Sequence, residues 1–102
     1  MERKTFFTDG NGFQITFDNG LVLSTQFSGF HYCSNRTGLE LKQKESYSSN
    51  NAEIAVIDSS TGEFITKQAY KEVFNKDLYD DVEGYVNVFD WYKLLTWCKE
   101  QK

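Results

Sequence analysis

The only histidine of the chain lies two residues before one of its two cysteines, in the segment His31-Tyr32-Cys33. If this segment is a strand, His31 and Cys33 point to one face, where an imidazole can activate a thiolate nucleophile. The sequence identifies no third group to orient the imidazole and no oxyanion hole. A cysteine-dependent enzyme is therefore the last of three functional hypotheses, and we expect no catalytic activity. One histidine and two distant cysteines also predict no metal site, and no cofactor is expected.

The densest charge cluster lies between residues 77 and 85, where acidic residues alternate with tyrosines. Tyrosine supplies a large contact area at low entropic cost, and carboxylates steer the encounter with a basic partner. We predict that this acidic segment binds a protein with a basic surface; the alternative is a solvated loop leading into the next helix. The predicted contact residues are Asp77, Tyr79, Asp80, Asp81, Glu83 and Tyr85.

A second hypothesis is a protein that binds or sequesters a small ligand such as a nucleotide signal. An anionic ligand of this kind needs basic side chains that converge with aromatic rings. The pocket would lie between the helix and the sheet, or between two subunits if the chain forms a homo-oligomer. The candidate residues are Tyr32, Arg36, Lys42, Lys44 and Tyr47.

Length and charge narrow the class of protein. At 102 residues the chain is predicted to be a single domain over residues 1–102. A net charge of -4 argues against direct binding of nucleic acid or of anionic membranes. No run of about 18 apolar residues occurs, and the first residues lack the apolar stretch of a secretory signal. We therefore expect no membrane span, a cytoplasmic location and two free thiols; the alternative for the cysteines is a single disulfide between Cys33 and Cys98.

A hairpin is the clearest element. Asp18-Asn19-Gly20 is typical of a tight turn, and a three-residue loop with Gly20 at a left-handed position places apolar residues opposite one another. A two-residue loop would instead pair apolar with polar residues on each face. The predicted pairs are Phe17 with Leu21, Ile15 with Leu23, and Phe13 with Thr25. The opposite face, which includes Gln14, Thr16, Val22, Ser24 and Gln26, is mostly polar.

Further strands are predicted around this hairpin. They are a first strand at Lys4–Thr8, a continuation of the third strand over Phe30–Cys33, a short strand at Gly38–Lys42, a central strand at Ala52–Asp58 and its partner at Glu63–Lys67. Residues Gln68–Asn75 fit two helical turns, and Asp77–Val86 is expected to be extended or irregular. The rest of Ser34–Asn51 is predicted to be a long loop.

The C-terminal segment predicts the main helix. Asn87 is a good N-cap, with Asp90 at the third helical position. A stripe at i, i+3, i+4 and i+7 spacing is expected to face the sheet, and consists of Val88, Trp91, Leu94, Leu95 and Cys98. The fold class is therefore α+β: an antiparallel sheet of about five strands from hairpins, with one C-terminal helix packed on one face.

Most of the chain resembles a set of short uncharacterised proteins carried by phages and other mobile elements. The matching motifs are Phe13-x-x-x-Phe17-x-Asn19-Gly20, Ser24-x-Gln26-Phe27, Tyr32-Cys33, Glu53-Ile54-Ala55-Val56 and Asp81-Val82-x-Gly84-Tyr85-Val86. The resemblance implies no active site. It implies a cytosolic protein that inhibits a host protein, such as one of a defence system, by stoichiometric binding.

Overall fold

An antiparallel sheet carries two helices, so the predicted α+β class is confirmed. The computed structural model describes residues 5–8, 12–36 and 48–102. The elements are β1 (Phe6–Thr8), β2 (Gly12–Thr16), β3 (Leu21–Gln26), β4 (Ala52–Asp58), β5 (Glu63–Phe64), α1 (Thr66–Phe74), β6 (Glu83–Val86) and α2 (Val88–Glu100). The predicted strand at 38–42 lies outside the described residues. Neither helix of the described ranges is long and apolar enough to cross a membrane.

The sheet has the strand order β1-β2-β3-β4-β5, and β6 also pairs with β4. The two short strands share one edge of β4: β5 pairs with Ile57 and Asp58, whereas β6 pairs with Ala52 and Ile54. β3 pairs with the other edge of β4 from Glu53 to Asp58. The prediction that Ala52–Asp58 is a central strand is confirmed.

The hairpin forms in the predicted register. Phe13 lies opposite Thr25 and Ile15 opposite Leu23, while the Phe17 backbone N–H donates to the Leu21 carbonyl over 2.8 Å. Gly20 has a φ of 88°, which a glycine adopts at little cost. All six residues of β3 are buried. The polar residues of this strand therefore pair within the protein, as when the Gln26 amide donates to the Ser24 hydroxyl.

Helix α2 begins and packs as its pattern predicts, with two corrections. The Asn87 side chain accepts a bond of 2.9 Å from the Asp90 backbone N–H. Leu94 and Cys98 are fully buried, and Trp91 and Leu95 are partly buried against the core. Val88, in contrast, is 63% exposed, because it stands at the first helical position and on the flank of the helix, roughly 100° around the axis from Leu94 and Cys98. Trp97 joins the packing against the core although the stripe does not include it.

The predicted strand at Glu63–Lys67 is too long, because α1 starts at Thr66. The Ile65 backbone N–H still donates to the Val56 carbonyl, but the buried Thr66 hydroxyl then accepts from the Val56 N–H over 2.9 Å. A side chain thus takes the place of the next backbone bond, which lets the chain leave the sheet and begin a helix. The helix predicted at Gln68–Asn75 is confirmed and begins two residues earlier.

The turn of the hairpin is tied to the far end of α2. The Asn19 side-chain amide donates to the carbonyls of Cys98 and Gln101, over 2.7 Å in each case. Its oxygen accepts from the Leu21 N–H. Carbonyls at a helix C-terminus lack partners within the helix, so Asn19 satisfies groups that would otherwise need water.

Candidate binding surface

A β-bulge lies in β6, where the chain passes from the acidic segment into α2. Ala52 pairs with Val86 and Ile54 pairs with Glu83, so one residue of β4 faces two residues of β6, Gly84 and Tyr85. Tyr85 has a φ of 54°, in the left-handed region, and its side chain is 56% exposed. A residue other than glycine in this conformation costs about 1–3 kcal/mol, and such outliers concentrate at functional sites. Tyr85 is therefore the first candidate for a functional residue.

The bulge is held from both sides. The Tyr85 N–H donates to the Tyr32 carbonyl over 2.8 Å, and the Tyr32 N–H donates to the Glu53 carboxylate over 3.0 Å. A Cβ at position 84 would collide with the Cβ of Tyr32, so only glycine permits this approach. The segment around Tyr32 thus fixes the direction of Tyr85.

Apolar side chains continue this surface onto the first two turns of α2. Val88, Phe89 and Tyr92 are all exposed, Phe89 at 77%. Phe89 and Tyr92 lie on the side of the helix opposite Leu94 and Cys98, whereas Val88 lies on its flank, where it also lines a cavity with Trp91. We call Tyr85, Val88, Phe89 and Tyr92 the β6–α2 surface. The sequence signal for Phe89 and Tyr92 is their angular distance from the buried stripe, whereas the conformation of Tyr85 has no sequence signal.

The acidic segment runs directly into this surface and is exposed, although two of its acids are paired internally. Asp77 lies 3.3 Å from Lys71, and Glu83 lies 2.7 Å from Lys76. Asp80 and Asp81 are exposed, and neither has an ion pair among the described residues. Tyr79 is 98% exposed. The two aspartates are therefore free to meet an external positive charge.

The predicted strand over Phe30–Cys33 is wrong, and with it the pairing of His31 and Cys33 on one strand face. Residues 28–35 form turns and bends, in which the His31 backbone N–H donates to the Ser28 carbonyl. The His31 Nδ1 lies 2.5 Å from the Ser28 hydroxyl oxygen and accepts from the Ser28 N–H. The buried Cys33 thiol donates instead to the Ser28 carbonyl over 3.5 Å. These contacts stabilise a turn.

Two of the predicted ligand-binding residues come together. The Arg36 guanidinium carbon lies 4.2 Å from the centroid of the Tyr32 ring, and its Nη1 donates to the Phe30 carbonyl. Both side chains are exposed. The other three candidates, Lys42, Lys44 and Tyr47, lie outside the described residues.

A cavity of about 340 Å³ lies between α2 and the sheet, where the ligand hypothesis places its pocket. Its aromatic wall is formed by Phe13, Phe27 and Trp91, and residues 48–51 form a polar rim. The Trp91 indole N–H donates to the Thr25 hydroxyl over 2.8 Å. The aromatic wall comes from three separate segments, so sequence spacing does not reveal it.

A second cavity, of about 240 Å³, lies between α1, β6 and the start of α2. It is lined by Tyr70, Phe74, Lys76, Glu83, Gly84, Tyr85, Val86 and Asp90. We call it the β6 cleft. Burial raises the pKa of the Tyr70 hydroxyl far above its ordinary value, and the charges of Glu83 and Asp90 raise it further. The hydroxyl therefore stays protonated and lies within the field of both carboxylates.

No metal-binding cluster is found among the described residues, and no similar protein is found for the chain. Within residues 5–8, 12–36 and 48–102, no group of three or more His, Cys, Asp or Glu side chains is placed to hold a metal ion. The sequence matches no protein-family model, no curated protein and no solved structure.

Proposed function

We propose that this chain acts by stoichiometric binding, without turnover, to a protein whose surface is both basic and apolar. The contact is made by the β6–α2 surface together with the acidic segment. The observation that carries the proposal is Tyr85, an exposed aromatic residue at a bulge with a φ of 54°. Strain of this kind persists when the surroundings enforce it, and here it holds a side chain that stays 56% exposed.

The neighbouring residues supply the composition of an interface. Aromatic side chains are enriched at the centre of protein interfaces, and charged residues lie at the rim. Val88, Phe89 and Tyr92 extend the apolar area from Tyr85, and Asp80 and Asp81 border it along the chain.

The charge of the chain supports a basic partner. The chain carries a net charge of -4, and its exposed unpaired aspartates lie beside the apolar residues. A basic partner is therefore attracted at long range, and an acidic one is repelled. The resemblance described above would make the partner a host protein in the host cytoplasm, and its inhibition the outcome of binding.

The test is a capture experiment with matched aromatic variants. Tagged protein is used to isolate a partner from a bacterial lysate, and the capture is repeated with the double variant Tyr85→Ser and Phe89→Ser. The control is Phe64→Ser, because Phe64 is also an exposed aromatic residue but lies in β5. We expect the double variant to lose the partner and the control to keep it. Equal capture by the wild type, the double variant and the control would contradict the proposal.

Binding of a small anionic ligand is the second candidate, and the stacking of Arg36 on Tyr32 favours it. A guanidinium held over an exposed ring can meet a phosphate while the ring accepts a base. Mass spectrometry of small molecules released from the purified protein tests this candidate. A nucleotide that co-purifies with the wild type, but not with Arg36→Ala, would favour it over protein binding.

A further inference from the structure

The β6 cleft combines aromatic rings with acidic groups. The rings of Tyr70 and Phe74 lie with centroids 5.0 Å apart, and the exposed Tyr85 also lines the cleft. Glu83 and Asp90 bring two carboxylates. Aromatic faces and carboxylates each attract cations, and together they favour a flat cationic group.

The Tyr70 hydroxyl adds a hydrogen-bond acceptor to the two carboxylates of the cleft. Tyr70 is 4% exposed and lines the cleft, and its hydroxyl has no hydrogen-bond partner among the described residues. The oxygen is not sealed in the core, so a donor that enters the cleft can reach it. Glu83 and Asp90 line the same cleft as Tyr70, so one incoming group can contact all three residues.

Two lysines of the protein itself already lie close to the acidic and aromatic groups of this region. Lys76 lies 2.7 Å from Glu83, and the Lys93 ammonium lies 5.8 Å from the centroid of the Phe74 ring. The Lys76 side chain is 57% exposed, so it holds Glu83 from the solvent side and can be displaced. The free protein thus holds its own cation where an external one would bind.

The volume of the cleft limits the size of its occupant. At about 240 Å³ it is smaller than the roughly 300–1,000 Å³ of pockets for drug-sized ligands, which suits one side chain. Arginine matches its walls better than lysine does, because a planar guanidinium can stack on rings and donate to several acceptors at once.

We infer that the β6 cleft binds an arginine side chain of the partner, which stacks on the aromatic rings, donates to Glu83, Asp90 and the Tyr70 hydroxyl, and displaces Lys76. This inference rests on the proposed function. It specifies one contact of the partner, which presents an arginine beside the apolar residues that cover the β6–α2 surface.

The probe is the blocked peptide acetyl-Ala-Arg-Ala-amide, titrated into ¹⁵N-labelled protein and followed by amide chemical shifts. We expect saturable shifts at Tyr70, Gly84 and Val86, smaller shifts with the lysine peptide, and none with the uncharged citrulline peptide. Glu83→Gln and Asp90→Asn should each raise Kd by about three- to tenfold. Asp81→Asn, which removes the same charge outside the cleft, should have little effect.

Two lysine variants distinguish the displacement of Lys76 from a general effect of net charge on arginine binding. Lys76→Ala and Lys71→Ala each remove one positive charge, but Lys71 pairs with Asp77 outside the cleft. We expect Lys76→Ala to tighten arginine binding and Lys71→Ala to leave it nearly unchanged. Equal effects of the two variants, no shifts at the cleft, or equal binding of arginine and citrulline would overturn the inference. If arginine fails to bind while partner capture still requires Tyr85 and Phe89, the inference fails and the proposed function stands.

Discussion

Tyr85 has a backbone conformation that glycine adopts without strain. Replacing it with glycine should release about 1–3 kcal/mol of strain and cost about 0.5–1 kcal/mol in chain entropy. We expect Tyr85→Gly to unfold in urea at an equal or higher midpoint than the wild type, and to lose partner binding. Tyr92→Gly serves as the control, since an exposed helical residue should lose about 1 kcal/mol on this change. A clear loss of stability in Tyr85→Gly would mean that the tyrosine stabilises the bulge.

Burial suppresses the reactivity of the Cys98 thiol. Burial raises the pKa of its thiol to about 12, and the thiolate is the form that reacts with alkylating reagents. Both cysteines are free, as predicted, and both are buried. We expect iodoacetamide at pH 8 to leave Cys98 unmodified in the folded protein, and to modify both thiols in urea without a reductant. Rapid modification of folded protein at Cys98, located by peptide mass spectrometry, would show that α2 opens locally.

Two adjacent leucines of α2 test how this helix packs. Leu94 is fully buried, whereas Leu95 is only partly buried. Leu94→Ala should lower the free energy of unfolding by about 2–5 kcal/mol, because it leaves a cavity against the sheet. Leu95→Ala should cost clearly less, since solvent already reaches its side chain. Urea denaturation of both variants checks this order, and equal losses would contradict the observed orientation of the helix.

The elements that the sequence predicts well are those that depend on neighbouring residues. Asn19 and Gly20 define the hairpin turn, alternating apolar residues set its register, and Asn87 begins α2. The elements that it misses depend on distant contacts. Thr66 starts α1 early because its hydroxyl bonds to β4, and Tyr85 adopts its conformation beside Tyr32. The acidic segment is visible in the sequence, but the β6–α2 surface and the β6 cleft exist only after α1, β6 and α2 have packed.

At the scale of the molecule, charge should govern how fast the partner is found. In the double variant Asp80→Lys and Asp81→Lys, each change adds two positive units, so the net charge rises from -4 to zero. We expect an association rate that is lower at low salt and closer to the wild-type rate at high salt, because ions screen steering. Stopped-flow association with the captured partner measures both rates.

The control for this variant carries the same change in net charge elsewhere. Glu63→Lys and Glu100→Lys place it on β5 and at the end of α2, on exposed side chains. If the two double variants slow association equally, the acidic segment has no special part in steering. Circular dichroism should show that both retain the fold.

The bonds from Asn19 to the end of α2 also have a consequence for synthesis on the ribosome. Their partners lie 79 and 82 residues further along the chain. At about 5–20 residues per second, a bacterial or eukaryotic ribosome needs on the order of 4–16 s to reach the first of them. Until α2 is made, the hairpin has neither Leu94 nor Cys98 to cover its apolar face. We therefore expect that face, once it is outside the exit tunnel, to stay accessible to chaperones and proteases until the second helix has also left the tunnel.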